Sequence, residues 1–359
     1  MKPIRFAIIG GGWRCESYVT AAKALPELFE ITGVLVRDPD KGAAFAAKWG
    51  VPVERDLKRL LAAQPEFVFV VVPWEPAYAY NLELAQRGIP VLSETPPAPD
   101  VQGLERLTDL TRQGARIQVA EQYPFQPLMA ARIAVAQSGR LGRVTSCVIS
   151  ACHGYHFVAL MRKFLGLGFE NASLTPYRFS PAPIVGGPGR SGPPMEEKLN
   201  AHTREFVFFR FETGQDALFD FDGAQYFSWA RALHLQVQGE RGEIMDEMVR
   251  TQPRFDTPLA EPLQRVNVGE AGNLEGYFLR GYTLGGHYVY RNPFPGARLS
   301  DDELAMATCL MKMGLYVRGG EPFYGVEQAA QDMYMSLLMG EALKTGNIKT
   351  SQTQQWATR

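Results

Sequence analysis

The sequence has no excess of either charge, and it has few cysteines. Its 359 residues include 37 Lys and Arg against 38 Asp and Glu, which gives a formal net charge of −1. This balance provides no broad positive field to hold nucleic acid or an anionic membrane, so a small molecule is the expected partner. No Cys-x-x-Cys pair occurs, and we therefore predict free thiols and no bound metal. The four scattered cysteines are Cys15, Cys147, Cys152 and Cys309.

Hydrophobic runs long enough to cross a membrane are also lacking. The strongly apolar run from Phe67 to Trp74 is much shorter than the roughly 20 residues that a transmembrane helix needs. The first residues pass into an apolar run that ends in glycines, without the long apolar region and cleavage site of a signal peptide. We therefore expect a cytoplasmic protein.

The first 120 residues alternate short β-branched runs with segments of helical periodicity. This pattern is typical of successive βαβ units and predicts a doubly wound parallel sheet. The predicted strands are Arg5–Gly10, Ile31–Val36, Phe67–Val72, Pro90–Ser93 and Ile117–Glu121. The predicted helices are Glu16–Leu25, Lys41–Trp49, Leu57–Ala63, Ala77–Arg87 and Leu104–Gln113.

The pattern changes near residue 123. The length exceeds the roughly 250–300 residues that one core supports, so we predict two domains, residues 1–122 and 123–359. In the second, hairpin-like connections indicate a largely antiparallel open sheet within an α+β domain. The helix Val326–Thr345, which ends at Gly346, could pack back on the first domain. Between Pro176 and Pro194, six prolines and four glycines predict either a long ordered loop or a plain crossover.

A glycine-rich turn follows the first predicted strand. Gly10, Gly11 and Gly12 stand between that strand and a helix that opens with Trp13 and Arg14. Gly10 would permit the tight turn, and Gly12 would let a pyrophosphate approach the helix N-terminus. The setting favours dinucleotide binding over a purely structural turn.

The second strand ends in residues that leave the choice of dinucleotide open. An acidic residue here favours NAD and an arginine favours NADP, and the sequence offers both Arg37 and Asp38. Arg37 could equally stack on adenine or lie in solvent. The predicted cofactor is therefore NAD or NADP.

Over nearly its whole length the chain resembles the Gfo/Idh/MocA oxidoreductases. The supporting segments include Arg37–Lys41, Val70–Pro73, Gly88–Pro96 and Ser138–Val144. The resemblance implies a Rossmann domain, a second domain with an open sheet, and hydride transfer between NAD(P) and a hydroxyl of a sugar, cyclitol or related compound. It also implies a homodimer or homotetramer.

Two family motifs are altered in this sequence. Glu94-Thr95-Pro96 stands in place of Glu-Lys-Pro, so the ammonium group that helps polarise the reacting hydroxyl is missing. Cys152-His153-Gly154-Tyr155-His156 stands in place of Asp-x-Gly-x-His and keeps only the glycine and the histidine.

These positions define the predicted site. Oxidation of a hydroxyl needs a base with a pKa near the working pH, and His156 meets this need, with Tyr155 and Thr95 as orienting groups. Tyr123, His153 and His156 are predicted to bind substrate. The predicted cofactor-binding residues are Gly10, Gly11, Gly12, Trp13, Arg14, Arg37, Asp38, Pro73, Trp74, Glu94 and Thr95.

Three functions agree with these residues. The first is NAD(P)-dependent oxidation or reduction of a sugar-like compound. The second is redox-neutral glycoside cleavage through a transient oxidation, which some relatives perform with bound NAD. The third is a nucleotide- or sugar-binding protein that has lost catalysis, as the altered motifs would permit.

Overall fold

The structure is a computed structural model that describes residues 2–187, 189, 192 and 196–357. Its first part is a parallel sheet with helices on both faces. The strands of this sheet are β1 (Ile4–Ile9), β2 (Phe29–Leu35), β3 (Val53–Glu54), β4 (Phe67–Val70), β5 (Val91–Ser93) and β6 (Ile117–Val119). The helices are α1 (Trp13–Lys23), α2 (Pro39–Trp49), α3 (Leu57–Ala62), α4 (Trp74–Gln86) and α5 (Val101–Arg112).

The strand order of the first sheet is β3-β2-β1-β4-β5-β6, and all its pairs are parallel. The order reverses between β1 and β4, so the carboxyl ends of these strands border a crevice at that point. Buried apolar side chains pack on the faces of the sheet, including those of Ile8, Phe67 and Phe69. The predicted doubly wound Rossmann sheet is confirmed.

The second part is built on a larger sheet whose pairs are mostly antiparallel. Among the described residues its strands are β7 (Val144–Ser150), β8 (Ala172–Phe179), β11 (Arg204–Phe211), β12 (Asp216–Asp222), β13 (His234–Gly239), β14 (Gly242–Met245), β15 (Met248–Arg254), β16 (Thr257–Pro262) and β20 (Lys349–Thr350). Their order is β16-β15-β14-β13-β7-β12-β11-β8-β20, and only β7 and β12 pair in parallel within it. The predicted largely antiparallel sheet is confirmed.

Within the described ranges, smaller sheets and four α-helices complete this part. The short strands are β9 (Ile184–Val185) and β10 (Leu199–Asn200), and a separate sheet has the order β17 (Gln264–Glu270), β18 (Asn273–Leu284) and β19 (His287–Arg291). The helices are α6 (Pro127–Gln137), α7 (Gly154–Leu165), α8 (Asp301–Val317) and α9 (Val326–Thr345).

The segment from Pro176 to Pro194 is only partly a connection. Its first residues, up to Phe179, complete β8, and Ile184–Val185 forms β9. The remainder of this predicted loop includes residues 188, 190, 191, 193 and 194, which lie outside the described residues. None of the helices formed by the described residues has the length and apolar composition that a membrane span requires.

Helix α9 joins the two parts of the molecule. It packs against α5 and β6 of the first part and against α7 and β8 of the second. Val326, Ala330 and Met333 belong to the same buried cluster as Ile9 and Val70 of the parallel sheet. The N-terminus of α7 is thereby brought to the carboxyl edge of that sheet.

Candidate active site

A cleft of about 830 Å³ lies where the carboxyl edge of the parallel sheet meets α7. The first part contributes the glycine turn and the segments after β4 and β5, and the second part contributes α7 and the segment around Tyr226. The cleft brings together ten predicted site residues, which are Gly11, Gly12, Trp13, Arg14, Pro73, Trp74, Glu94, Thr95, Tyr155 and His156, together with the predicted substrate residues Tyr123 and His153.

The glycine turn has two positions with different requirements. Gly10 has φ +131°, and a Cβ there would lie 2.3 Å from the carbonyl oxygen of Val71, so this position requires glycine. A Cβ on Gly12 would meet no atom within 4 Å. Gly12 precedes α1, and no side-chain hydrogen bond caps this helix within the described residues. The open space beside its N-terminus suits an anionic ligand group.

Arg37 and Asp38 lie outside the residues that line the cleft. Both are exposed after β2. Oδ1 of Asp38 accepts hydrogen bonds from the backbone N–H groups of Asp40 and Lys41 at 3.0 and 3.1 Å, which caps the N-terminus of α2. This oxygen therefore already caps a helix. Arg37, in contrast, is exposed at the end of the strand.

An ion pair crosses the floor of the cleft. Nε of Arg14 donates to Oε1 of Glu94 at 2.5 Å, and Nη1 of Arg14 lies 3.6 Å from a carboxylate oxygen of Asp302 on α8. Oε2 of Glu94 and Oε1 of Gln122 are buried and have no hydrogen-bond partner within the described part of the chain. Two such acceptors fit the hydroxyl and amide donors of a nicotinamide nucleoside.

His156 is held by a carboxyl group that the sequence analysis did not include in the site. Its Nδ1 lies 2.7 Å from Oε2 of Glu121, which follows β6, and both side chains are buried. Oε1 of Glu121 accepts the backbone N–H of Tyr123 at 3.1 Å. Because Nδ1 faces Glu121, Nε2 is the imidazole nitrogen that remains for a ligand in the cleft.

Burial favours the neutral form of both side chains of this pair. It raises the pKa of Glu121 to about 8, against the smaller opposing effects of the Tyr123 N–H and of Arg14. It lowers the pKa of His156 to about 3. The pair therefore holds one exchangeable proton at pH 7 and releases it near pH 8.

Aromatic rings surround the imidazole of His156. The ring centroids of Tyr123, Tyr155 and His153 lie 4.3, 4.5 and 5.2 Å from it. Burial lowers the pKa of His153 to about 4, so this ring is neutral at pH 7. Burial raises the pKa of Tyr155 to about 12, and its hydroxyl lies 3.5 Å from the carbonyl oxygen of Thr95.

Tyr226 completes this wall of the cleft and was also missed. Its hydroxyl lies 3.2 Å from that of Tyr123 and accepts the backbone N–H of His153 at 3.1 Å. Tyr226 and Asp302 come from distant segments without a motif, so no sequence signal marks them. Glu121 had a signal, since it is an acidic residue at the carboxyl end of an apolar predicted strand. Among the described residues, no group of three or more His, Cys, Asp and Glu side chains could hold a metal ion.

The crevice at the strand-order reversal, the glycine turn and the open helix N-terminus define a dinucleotide-binding Rossmann domain. Residues 4–121 match the family model described as "Oxidoreductase family, NAD-binding Rossmann fold", which is the Gfo/Idh/MocA family. Residues 4–121 are thus similar to that family, and the predicted resemblance and the predicted NAD or NADP cofactor are confirmed for this part of the chain.

Similar proteins match this chain over different shares of its length. An uncharacterized oxidoreductase of Rhizobium meliloti is 30% identical over 147 residues, a match that spans 40% of this chain and 44% of the relative. Levoglucosan dehydrogenase in complex with NADH and levoglucosan has a TM-score of 0.69 at 14% identity, covering 98% of this chain and 100% of that chain. An oxidoreductase from Agrobacterium radiobacter in complex with NAD+, L-tartaric acid and magnesium has a TM-score of 0.66 at 15% identity, covering 96% and 98%. At 14 and 15% identity, these two likenesses show a shared fold over nearly the whole chain.

Proposed function

We propose that the protein is an NAD(P)-dependent oxidoreductase that acts on a hydroxyl or keto group of a sugar, a cyclitol or a sugar derivative. The observation that carries the proposal is the buried His156–Glu121 pair, in which a neutral imidazole backed by a titratable carboxyl group lies in the same cleft as the glycine turn. The family of the first domain and the likeness to levoglucosan dehydrogenase support this class of reaction.

The coenzyme would be held by backbone and side-chain groups of the first part. Gly12 leaves room at the N-terminus of α1 for the pyrophosphate, and Oε2 of Glu94 would accept a donor of the nicotinamide half. Arg14 holds the carboxyl group of Glu94 in place through its hydrogen bond. The nicotinamide ring supplies the hydride acceptor for oxidation or the hydride donor for reduction.

His156 would move the proton that must accompany the hydride. In oxidation, the substrate hydroxyl gives its proton to Nε2 while the proton on Nδ1 passes to Oε2 of Glu121. In reduction, the pair runs in reverse and Nε2 protonates the developing alkoxide. The carboxyl of Glu121 removes the need for a charged imidazolium in a buried position.

Thr95 and Tyr155 would orient the reacting group. The hydroxyl of Thr95 provides one donor and cannot titrate near neutral pH. Tyr155 keeps its proton, since burial raises its pKa, so it too can only donate or accept a hydrogen bond. Proton transfer is therefore assigned to His156, while these two hydroxyls position the substrate.

The charges of the cleft favour an uncharged substrate. Arg14 is paired with Glu94 and lies near Asp302, and His153 and His156 are neutral at pH 7. The described residues that line the cleft thus provide no unpaired cation for a carboxylate or phosphate on the substrate. The aromatic faces of Tyr123, Tyr155 and Tyr226 suit a neutral sugar or cyclitol ring.

The test is a turnover assay with matched substrates. The protein is incubated with NAD+ or NADP+ and with neutral sugars and cyclitols, each beside the corresponding sugar acid, and reduced coenzyme is followed by absorbance. We expect turnover of a neutral compound and little of its acid. Cleavage of a glycoside without net absorbance change would favour the redox-neutral reaction instead, and nucleotide binding without any turnover would contradict catalysis.

A further inference from the structure

A groove of about 910 Å³ opens at a second place on the surface. Its walls include parts of α6, α7 and α8 and the segment that joins α8 to α9, and among the described residues it shares none of its lining with the cleft. Ligand pockets of proteins span about 300–1,000 Å³, so the groove has room for a small organic molecule. The function proposed above makes no use of it.

Aromatic side chains form one wall of the groove. The ring centroids of Phe125 and Phe323 lie 6.1 Å apart, and the ring of Tyr324 lines the groove beside them. Ile133 and Leu315 add aliphatic surface. This wall suits a ligand with an aromatic body, because aromatic rings attract one another at centroid distances of about 4.5–7 Å.

Two lysine side chains contact this aromatic wall. Nζ of Lys312 lies 5.5 Å from the ring centroid of Phe125, and Nζ of Lys163 lies 5.6 Å from that of Tyr324. Both lysines are half-buried, and in the described part of the chain neither ammonium group has a carboxylate within 4 Å or a hydrogen bond. Because an ammonium group removed from water without a counter-ion is costly, an anionic ligand in the groove would be stabilised.

The carboxyl group that influences Lys163 from the interior is already engaged. Oδ1 of Asp332 accepts a hydrogen bond from Nη1 of Arg162 at 2.5 Å, and Oδ2 accepts one from the hydroxyl of Tyr324. Burial and the positive charge of Arg162 lower the pKa of Lys163, against the opposing effect of Asp332. Negative charge that favours the ammonium form of Lys163 must therefore come from the groove.

The other charged residues leave the groove with a small positive charge. Arg318 also lines it, but the guanidinium donates to both carboxylate oxygens of Glu66 at 2.6 and 2.7 Å. Glu321 is the one carboxylate among the described lining residues, and it is exposed. Two ammonium groups against one carboxylate leave a net charge of +1, which matches a monoanion.

We propose that this groove is a second ligand site, which binds a small organic monoanion with an aromatic body. The aromatic body would lie against Phe125 and Phe323, and the ammonium groups of Lys163 and Lys312 would attract its acid group. The proposal goes beyond the function proposed above and does not depend on it. The two cavities would thus take ligands of different charge, since the cleft offers no unpaired cation among its described lining residues.

The test uses anilinonaphthalene sulfonate, an aromatic monoanion whose fluorescence rises in apolar surroundings. Phenylnaphthylamine, which has the same rings without the sulfonate, is the neutral counterpart. Both are titrated in the presence of excess NAD+, so that the coenzyme competes for the anion site at Gly12. We expect saturable binding of the sulfonate and at least tenfold weaker binding of the neutral compound.

Substitutions of the charged lining residues should act in opposite directions. K163Q should raise the Kd of the sulfonate about tenfold and K312Q about threefold, because each removes an attractive charge, whereas E321Q should lower it about twofold. The Kd of phenylnaphthylamine should stay the same in all three variants. K58Q is the matched control, since Lys58 is exposed on α3 and should not affect either compound.

A second measurement needs no variant. The lysines of the unaltered protein are methylated reductively with and without the sulfonate, and mass spectrometry follows each residue. We expect the sulfonate to slow methylation of Lys163 and Lys312 and to leave that of Lys58 unchanged.

Equal affinity for the two compounds, or no saturable binding of the sulfonate, would overturn the proposal. So would an unchanged Kd in K163Q and K312Q, or methylation of Lys163 and Lys312 that the sulfonate does not slow. None of these measurements requires turnover. A protein without turnover would contradict the proposed function and leave the result for the groove intact.

Discussion

The two ends of the cleft use different kinds of groups. At the glycine end, the backbone of Gly10–Gly12 and the N-terminus of α1 provide a fixed site for an anion. At the imidazole end, two buried side chains, His156 and Glu121, hold one proton that can move. Under the proposed function, one end of the cleft would therefore bind the coenzyme and the other would transfer the proton. Changes at one end should therefore leave the property of the other end unaltered.

The largest effect should follow the loss of the imidazole. H156A should lower kcat by about 10²- to 10⁴-fold, the usual contribution of a positioned acid-base group, while the Kd of the coenzyme stays within a factor of about two. Steady-state kinetics and calorimetry measure the two quantities. H234A is the matched control, since His234 is exposed on β13. Equal kcat in H156A and H234A would remove His156 from the mechanism.

The converse pattern is expected at the glycine end. In G12A the new methyl group meets no protein atom within 4 Å and would project into the space proposed for the pyrophosphate. The Kd of the coenzyme should rise about tenfold, equivalent to ~1.4 kcal/mol, with no change in Tm. G340A on α9, where a Cβ also meets nothing, is the control. Unchanged coenzyme affinity in G12A would contradict the assigned place of the pyrophosphate.

The pH dependence of activity should come only from His156 and Glu121. Oxidation needs the His156–Glu121 pair without its exchangeable proton, so kcat/KM for oxidation should rise with pH through about 8, and kcat/KM for reduction should fall there. In E121Q the amide cannot titrate, and burial still lowers the pKa of His156.

The profile of E121Q should therefore be flat between about pH 6 and 9 and its activity lower. G12A should keep the midpoint of the unaltered protein. A midpoint near 8 in E121Q would assign the titration to another group.

The smallest expected effect concerns the choice between the two coenzymes. Oδ1 of Asp38 caps α2, whereas the guanidinium of Arg37 is exposed and could meet a 2′-phosphate. R37A should raise the Kd of NADP+ about three- to tenfold and leave that of NAD+ unchanged. Titration of both coenzymes against R37A and R55A, another exposed arginine, measures the difference. Equal affinities in all variants would assign no phosphate contact to Arg37.

The periodicity of the sequence located strands and helices that are marked by residues close together in the chain. The strand Phe67–Val70 lies within its predicted range, and α9 has the predicted bounds because Gly346 takes up the left-handed conformation that ends it. Helices α7 and α8 were not among the predicted helices. The sequence did hold a signal for α8, because Ser300 and Glu303 form a capping box at its N-terminus.

The residues of the site also differ in whether the sequence could reveal them. The glycine turn is contiguous, so it could be found from sequence, and His156 was found through a short motif. Glu121 lies 35 residues from His156 in the chain, and only the packing of α7 on the parallel sheet brings the two within 2.7 Å. A pair of this kind depends on tertiary structure, and no spacing rule predicts it.

The burial of α9 against the parallel sheet has a consequence for synthesis. Val326, Ala330 and Met333 complete a cluster whose other members include Ile9 and Val70, about 250 to 320 residues earlier on the ribosome. The coenzyme-binding half thus emerges with an apolar surface that stays uncovered until the end of translation. A nascent chain stalled before α9 should therefore recruit chaperones, although every strand of the first sheet is already outside the exit tunnel.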